Sequence, residues 1–370
     1  MHNTTLFLTL RVFSATGGIE KVCRVAGKAM HELCMEQRSK EIAIYSLYDE
    51  PGDINTDYFP QAIFTGFGKS RFNFFHCVVK KGLGSERVIL SHVNLLLIGY
   101  IIKLLSPTTK LVLMAHGIEV WQRFAWWKRM ALSKCDLILA VSQFSKQKLI
   151  SENGLPENKI TVLNNCLDPF LPVPLTNGKP VALLQRYHIQ ATDKVLLTLT
   201  RMAYNEQYKG YEQVIRAVSA LTKKTSSIKY LLVGKYDATE KARLDALIDR
   251  LGVQEHIIFS GFIPDAELAA HYALADLYIM PSQKEGFGIV FIEAMFYGKP
   301  VIAGSVDGSV DALQNGKFGI LIDPNNQQQI TAAIELALSD TKKNTPTKEA
   351  VLQQFGFPAY KEKLGAILQC

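Results

Sequence analysis

The chain has 370 residues, 48% of them hydrophobic and 20% charged, with a formal net charge of +7. That balance excludes a disordered or low-complexity chain, and the length allows two domains that each bury a core. The positive excess is lopsided: residues 1–175 hold 20 Lys+Arg against 14 Asp+Glu, the rest 21 against 20. The first half therefore suits either an anionic partner or an ordinary solvated basic surface.

The first apolar run, "TLFLTLRVF" (5–13), ends in "SATGGIE", and "KVCRVAGKAMHEL" follows with helical spacing. Gly17 and Gly18 open that helix. Glycines there fit a plain turn as well as they fit the close approach of an anion to a helix start. Their spacing is not G-x-G-x-x-G, which disfavours a dinucleotide cofactor. "EIAIYSL" (41–47), "RVILSHV" (87–93), "KLVLMAH" (110–116) and "DLILAVS" (136–142) are further short apolar runs with helical stretches between them. The pattern predicts a parallel sheet covered by helices on both faces. The long apolar stretch 88–105 is broken by Ser91, His92, Asn94 and Lys103. It is too short to span a bilayer and reads as a strand followed by a buried helix.

"DPFLPVPLTNGKP" (168–180) has four prolines and one glycine in 13 residues and cannot continue a helix or a central strand. It is the predicted linker between a first domain, 1–172, and a second, 173–355. The rhythm then restarts with runs at 194–201, 228–234, 256–262, 276–282, 300–304 and 319–323. A last amphipathic helix, 356–370, is expected to pack back toward the first domain. Two Rossmann-like doubly wound domains facing across a cleft would bind ligands at the strand ends.

Six cysteines at 23, 34, 77, 135, 166 and 370 form no C-x-x-C and no metal spacing. Reduced thiols in a cytoplasmic protein are the expectation, and the N-terminus lacks the features of a signal peptide.

Several strand-end residues carry chemistry. His116, followed by Gly117, can hydrogen-bond a ligand or serve the fold. Arg201 and Lys209 suit a metal-free diphosphate clamp, or a solvated basic loop. In "KEGFGIVFIEAMFYGKP" (284–300), Glu285 precedes a helix start at Gly288 and Glu293 lies inside an apolar turn. Helix N–H groups suit phosphate, and carboxylates suit vicinal hydroxyls. Together they point to a ligand bearing both, the alternative being a helix-start charge plus one buried, satisfied glutamate.

These features in this order resemble a retaining glycosyltransferase of family four with the GT-B architecture. The resemblance rests on the E-x7-E spacing of Glu285 and Glu293 with "EGFG" intact. "TGGIEKV", "HGIE", "TRM…YKG", "LLVG", "FSGF" and "GKPVIAG" support it. It implies a hexosyltransferase that uses a nucleotide-diphosphate sugar, GDP-mannose or a UDP-sugar, and acts in lipopolysaccharide or exopolysaccharide synthesis without a metal or other cofactor. Glu285 and His116 would be catalytic. Gly17, Gly18, Arg201, Lys209, Gly234, Phe262, Gly286, Phe287, Gly288, Ile289 and Glu293 would bind the donor. The chain departs from the family pattern at "DGSVD" (307–311) and in the long Arg201–Lys209 spacing.

The acceptor would be a glycan or a polyprenyl- or other lipid-linked sugar. The basic, aromatic stretches 69–87 and 121–134 would touch the inner face of the cell membrane. Nucleic acid is not an expected partner. A non-catalytic nucleotide-sugar-binding protein and a GT-B-type epimerase are the alternatives.

Overall fold

A computed structural model describes residues 4–37, 40–173, 178–224, 227–340 and 345–369. The middle of the predicted linker, 174–177, and Cys370 lie outside the described residues. The chain forms two compact units, 1–169 with 355–370, and 170–354.

The first unit is built on seven strands: β1 (Thr4–Thr9), β2 (Glu41–Ser46), β3 (Phe64–Gly66), β4 (Arg87–Leu90), β5 (Lys110–Ala115), β6 (Leu137–Ala140) and β7 (Ile160–Val162). All pairings are parallel, in the order β3-β2-β1-β4-β5-β6-β7. Its helices are α1 (Gly18–Glu36), α2 (Arg71–Gly82), α3 (Leu96–Leu105), α4 (Trp126–Ser133) and α5 (Gln143–Asn153). Phe74, Val78, Leu96, Ile102, Leu132 and Leu149 share one buried cluster with Leu8, Leu90 and Leu113, so α2 to α5 cover the same side of the sheet.

The second unit holds α6 (Val181–Arg186), β8 (Lys194–Leu199), α7 (Tyr211–Leu221), β9 (Ile228–Val233), α8 (Ala238–Leu251), β10 (Ile257–Gly261), α9 (Leu268–Leu274), β11 (Leu277–Met280), α10 (Ile289–Phe296), β12 (Val301–Gly304), α11 (Ser309–Ala312), β13 (Ile320–Ile322), α12 (Gln327–Ser339) and α13 (Lys348–Phe355). Its sheet runs β10-β9-β8-β11-β12-β13. Leu196, Tyr230, Ile279 and Ile302 from four strands pack with Val214, Leu244 and Ile330 from α7, α8 and α12.

The last helix, α14 (Phe357–Leu368), returns to the first unit. It buries Tyr360, Leu364 and Leu368 and packs along α1. The buried Arg87 guanidinium donates to Leu368 O at 2.7 Å.

Three sequence expectations need correction. The run 5–13 is strand only to Thr9. Beyond it, Val12, Phe13 and Ser14 turn their N–H groups onto the Asp49 carboxylate at 2.6, 3.2 and 2.7 Å. β3 and β7, three residues each at the sheet edges, carry too little apolar pattern to be seen. Helix α3 is not buried throughout: Leu97, Leu104 and Leu105 face solvent. Its inner face is fixed by Gly99, where a Cβ would sit 2.7 Å from Leu90 Cδ1.

Candidate functional site

In the second unit the strand order reverses between β8 and β11. Connections leave these strands in opposite directions, so their carboxyl ends open a crevice where ligands of open α/β sheets bind. Beyond β8 the chain passes Arg201 and enters the 3-10 segment Tyr204–Lys209. It then turns at Gly210, whose φ is +82°, and a Cβ there would lie 2.3 Å from Pro281 O. Only glycine tolerates that approach, and it sets Lys209 against the chain leaving β11. Lys209 Nζ meets Glu285 Oε2 at 2.6 Å, both side chains being largely buried. Burial opposes the charge on Lys209, but the charge and hydrogen bond of Glu285 outweigh it, and its pKa lies above the ordinary value.

The Glu285 backbone is gripped by the loop after β12. Its N–H donates to Asp307 Oδ2 at 2.7 Å, and its carbonyl accepts from Gly308 N at 2.8 Å. Ser309 N donates to the other Asp307 oxygen at 2.9 Å. A Cβ on Gly308 would fall 2.0 Å from Gly286 O, so the two loops cross backbone to backbone. Burial, with help from the Glu285 charge, pushes the Asp307 carboxyl from 3.8 up to about 7. Between those values the unfolded chain releases the proton that the folded one keeps. Stability should therefore fall as pH rises through this window and level off above it. Asp307→Asn should remove that part of the slope, read from urea midpoints across the window.

Gly286 and the buried Phe287 lead to Gly288 at the start of α10. The first N–H groups of a helix have no intrahelical acceptor, and no side chain caps this one. Ile289 is its first residue. Glu293, one turn in, is 1% exposed and accepts from Tyr272 OH at 3.1 Å. Tyr272 stacks on Tyr297 with ring centres 4.9 Å apart.

Arg201 projects into solvent, with its Nε 3.0 Å from Glu206 Oε2 and a second bond from its terminal nitrogen to Oε1. This hydrogen-bonded pairing raises its pKa. The charges of Lys209, Glu206, Glu285 and Arg201 all act on Tyr208, whose hydroxyl is raised mainly by burial, so the four lie in one neighbourhood. Gly234 follows β9 and donates to Gly261 O at 2.9 Å. Phe262 is exposed, with Lys235 Nζ 4.9 Å from its ring centre. It borders a ≈ 590 Å³ cavity along the edge strand β10, lined also by Tyr187, Phe259 and Pro264.

In the first unit His116 follows β5. Its ring Nε2 lies 2.7 Å from Ser91 O, and its backbone N–H donates to Glu119 Oε1 at 2.5 Å. A carbonyl can only accept, so the neutral ring carries its proton on Nε2 and leaves Nδ1 as an acceptor. That Nδ1 is buried without a partner among the described residues. Gly17 and Gly18 begin α1, on a loop held from both sides. Asp49 takes its N–H groups, and Arg24 donates to Val12 O and Ala15 O, both at 2.8 Å.

Sequence reasoning missed Asp49, Glu206 and the gripping role of Asp307. The "DGSVD" departure and the long Arg201–Lys209 spacing were the visible signals among them. Among the described residues no three His, Cys, Asp or Glu side chains are grouped to hold a metal ion.

Two family profiles match in succession: "Glycosyltransferase Family 4" over residues 26–169 and "Glycosyl transferases group 1" over 183–354. The chain belongs to glycosyltransferase family four. A GDP-mannose-dependent alpha-(1-6)-phosphatidylinositol monomannoside mannosyltransferase of Mycolicibacterium smegmatis is 30% identical, covering 63% of this chain and 62% of its own. An O-antigen chain mannosyltransferase B of Escherichia coli is 30% identical over 57% and 53%. This family-four chain thus spans between half and two thirds of the length of those curated relatives. Anabaena HepE, crystallised with UDP and glucose, superposes with a TM-score of 0.78 at 21% identity over 100% of both chains. That likeness shows the fold, two parallel-sheet α/β domains of GT-B type.

Proposed function

We propose that the protein is a retaining, metal-independent hexosyltransferase. It would move a sugar from a nucleotide diphosphate to a glycan or lipid-linked acceptor in cell-surface polysaccharide synthesis. The observation that carries this reading is the Lys209–Glu285 pair at the foot of α10, inside the crevice between β8 and β11.

A diphosphate leaving group needs positive charge that is in place before the bond breaks. Lys209 has three N–H donors and spends one on Glu285, so two remain for phosphate oxygens. Arg201 has five and gives two to Glu206. The amides of Phe287, Gly288 and Ile289 add neutral donors at the helix start. Glu285, held by its own backbone, takes hydroxyls of the transferred sugar beside the reacting carbon. Glu293 takes the ribose diol, and Phe262 with Gly234 borders the base. In the first unit the Gly17–Gly18 helix start suits an anion, and the Nδ1 lone pair of His116 suits a sugar or acceptor hydroxyl. The acceptor oxygen bonds to the anomeric carbon as the bond from that carbon to the diphosphate oxygen breaks on the same face, and the acceptor proton passes to the departing phosphate oxygen, which retains configuration.

The mycobacterial and E. coli relatives support mannose transfer, the mycobacterial one from GDP-mannose, and the HepE complex supports a UDP-sugar. The basic first unit supports contact with an anionic membrane face. A thermal-shift panel of GDP, UDP and ADP with their sugar conjugates, run in EDTA, separates these donors. One nucleotide should raise Tm with no metal present. A rise that requires added divalent metal would overturn the metal-free clamp, and no rise with any of them would overturn the donor reading.

A further inference from the structure

On the first unit, the outer surface of α2, α3 and α4 is unlike the rest of the molecule. The three helices are neighbours, α2 against α3 and α3 against α4, and Tyr100 OH meets Met130 Sδ at 3.7 Å across the second junction. Their inner residues fill the core under the sheet, yet their outer ones are also apolar. Phe72 is 82% exposed, Trp126 73%, Leu97 54% and Leu104 54%, with Trp127 and Met130 partly open. Leu97 and Leu104 are seven apart, two helical turns on one face, and Trp126 and Met130 are four apart. Single exposed apolar side chains are ordinary, but a run across three adjacent helices marks an interaction surface.

The charge pattern selects the partner. α2, α3 and α4 contain no Asp or Glu. Arg71, Lys80 and Lys81 of α2 and Lys128 and Arg129 of α4 form no ion pair among the described residues, whereas Lys103 of α3 is tied to Asp136 at 2.9 Å. Lys128 Nζ lies 5.6 Å from the Trp127 ring centre, a cation beside an aromatic ring at the surface. Cations interleaved with Trp, Phe and Leu match the boundary between anionic headgroups and acyl chains. A protein groove would require acidic or apolar pockets complementary to one helix, while this face is broad and carries one sign of charge. None of the helices can insert across a bilayer: α3 is about 15 Å long, half of what the hydrocarbon needs, and no described helix is long and apolar enough to span.

We propose that the α2–α3–α4 face docks in the plane of an anionic lipid surface, with Phe72, Leu97, Leu104 and Trp126 entering the headgroup boundary and Arg71, Lys80, Lys128 and Arg129 meeting lipid phosphates. This names the membrane partner of the proposed acceptor reading and rests on that reading for its setting. The binding itself requires no transfer activity.

The test is flotation of the full chain with vesicles of phosphatidylcholine alone or of phosphatidylcholine with phosphatidylglycerol. Phe72→Ser/Trp126→Ser and Arg71→Glu/Lys80→Glu serve as variants, since these exposed side chains carry little of the fold. The wild type should float only with the anionic vesicles and lose binding as salt rises. Each double variant should bind at least tenfold more weakly with unchanged Tm. Equal flotation with both vesicle types, no flotation, or variants that bind like wild type would overturn the proposal. So would a wild-type dimer that Phe72→Ser/Trp126→Ser converts to monomer, because the face would then be a contact between copies. Vesicle binding without any nucleotide-induced Tm shift would leave the docking face standing and remove the transferase reading.

Discussion

Glu285→Gln should lower the rate of sugar transfer by roughly a thousandfold, the scale of losing one preorganised charged group at a reacting centre. Donor affinity should change far less, because Lys209, Arg201 and the start of α10 stay in place. The variant keeps the side-chain shape and the backbone bonds to Asp307 and Gly308. It removes the charge that keeps Lys209 protonated against burial. A secondary result follows: the unpaired Lys209 should cost on the order of 1–3 kcal/mol of stability, visible as a lower Tm. Lys209→Met combined with Glu285→Gln should recover much of that Tm and none of the turnover. Steady-state kinetics with calorimetric Tm values separate the two effects, and near-normal turnover by Glu285→Gln would reject the assigned role.

Gly308→Val should be as damaging by another route. Its Cβ would overlap Gly286 O at 2.0 Å, and that oxygen is backbone, with no rotamer to yield. The loops must part, which breaks the bond from Gly308 N to Glu285 O and displaces the start of α10. A loss of about 2–4 kcal/mol is expected from overpacking and a lost buried hydrogen bond, with nucleotide binding abolished in whatever folds. Gly52→Ala, far along the chain from the assigned site residues, serves as the control: its Cβ meets nothing within 4 Å, and its Tm should hold. Urea midpoints and the nucleotide thermal shift read both. Retained nucleotide binding by Gly308→Val would show that the crossing does not shape the site.

What could be read in the sequence was local. Glu285, the glycines around Phe287, the helix start and Glu293 lie within nine residues, and their chemistry follows from types and spacing. All six strands of the second unit were visible as short apolar runs, the four central ones because parallel strands buried on both faces are nearly unbroken in apolar residues. What escaped depended on distance along the chain. Asp307 reaches Glu285 across 22 residues, and Asp49 reaches Ser14 across 35. No spacing rule links a carboxylate to backbone N–H groups that far away. Glu206 was visible only as part of an unusually long interval, and its pairing with Arg201 depends on the 3-10 turn between them. The exposed side of α3 was hidden for the opposite reason: "LLIGYIIKLL" is apolar but for Lys103, so the pattern gave little sign that Leu97 and Leu104 meet water.

The return of α14 to α1 makes the first unit discontinuous, and this bears on the order in which the protein matures. A chain made from its N-terminus completes β1 to β7 early. At that stage the side of α1 that will receive Tyr360, Leu364 and Leu368 is still uncovered, and Arg87 lacks the Leu368 carbonyl. The whole of residues 170–354 must be synthesised before the missing helix arrives. The second unit, contiguous in the chain, can fold to completion while the first waits with apolar surface open, a state prone to aggregation and to chaperone capture. A released chain truncated just before Phe357 should therefore hold a protease-resistant second unit and a labile first one.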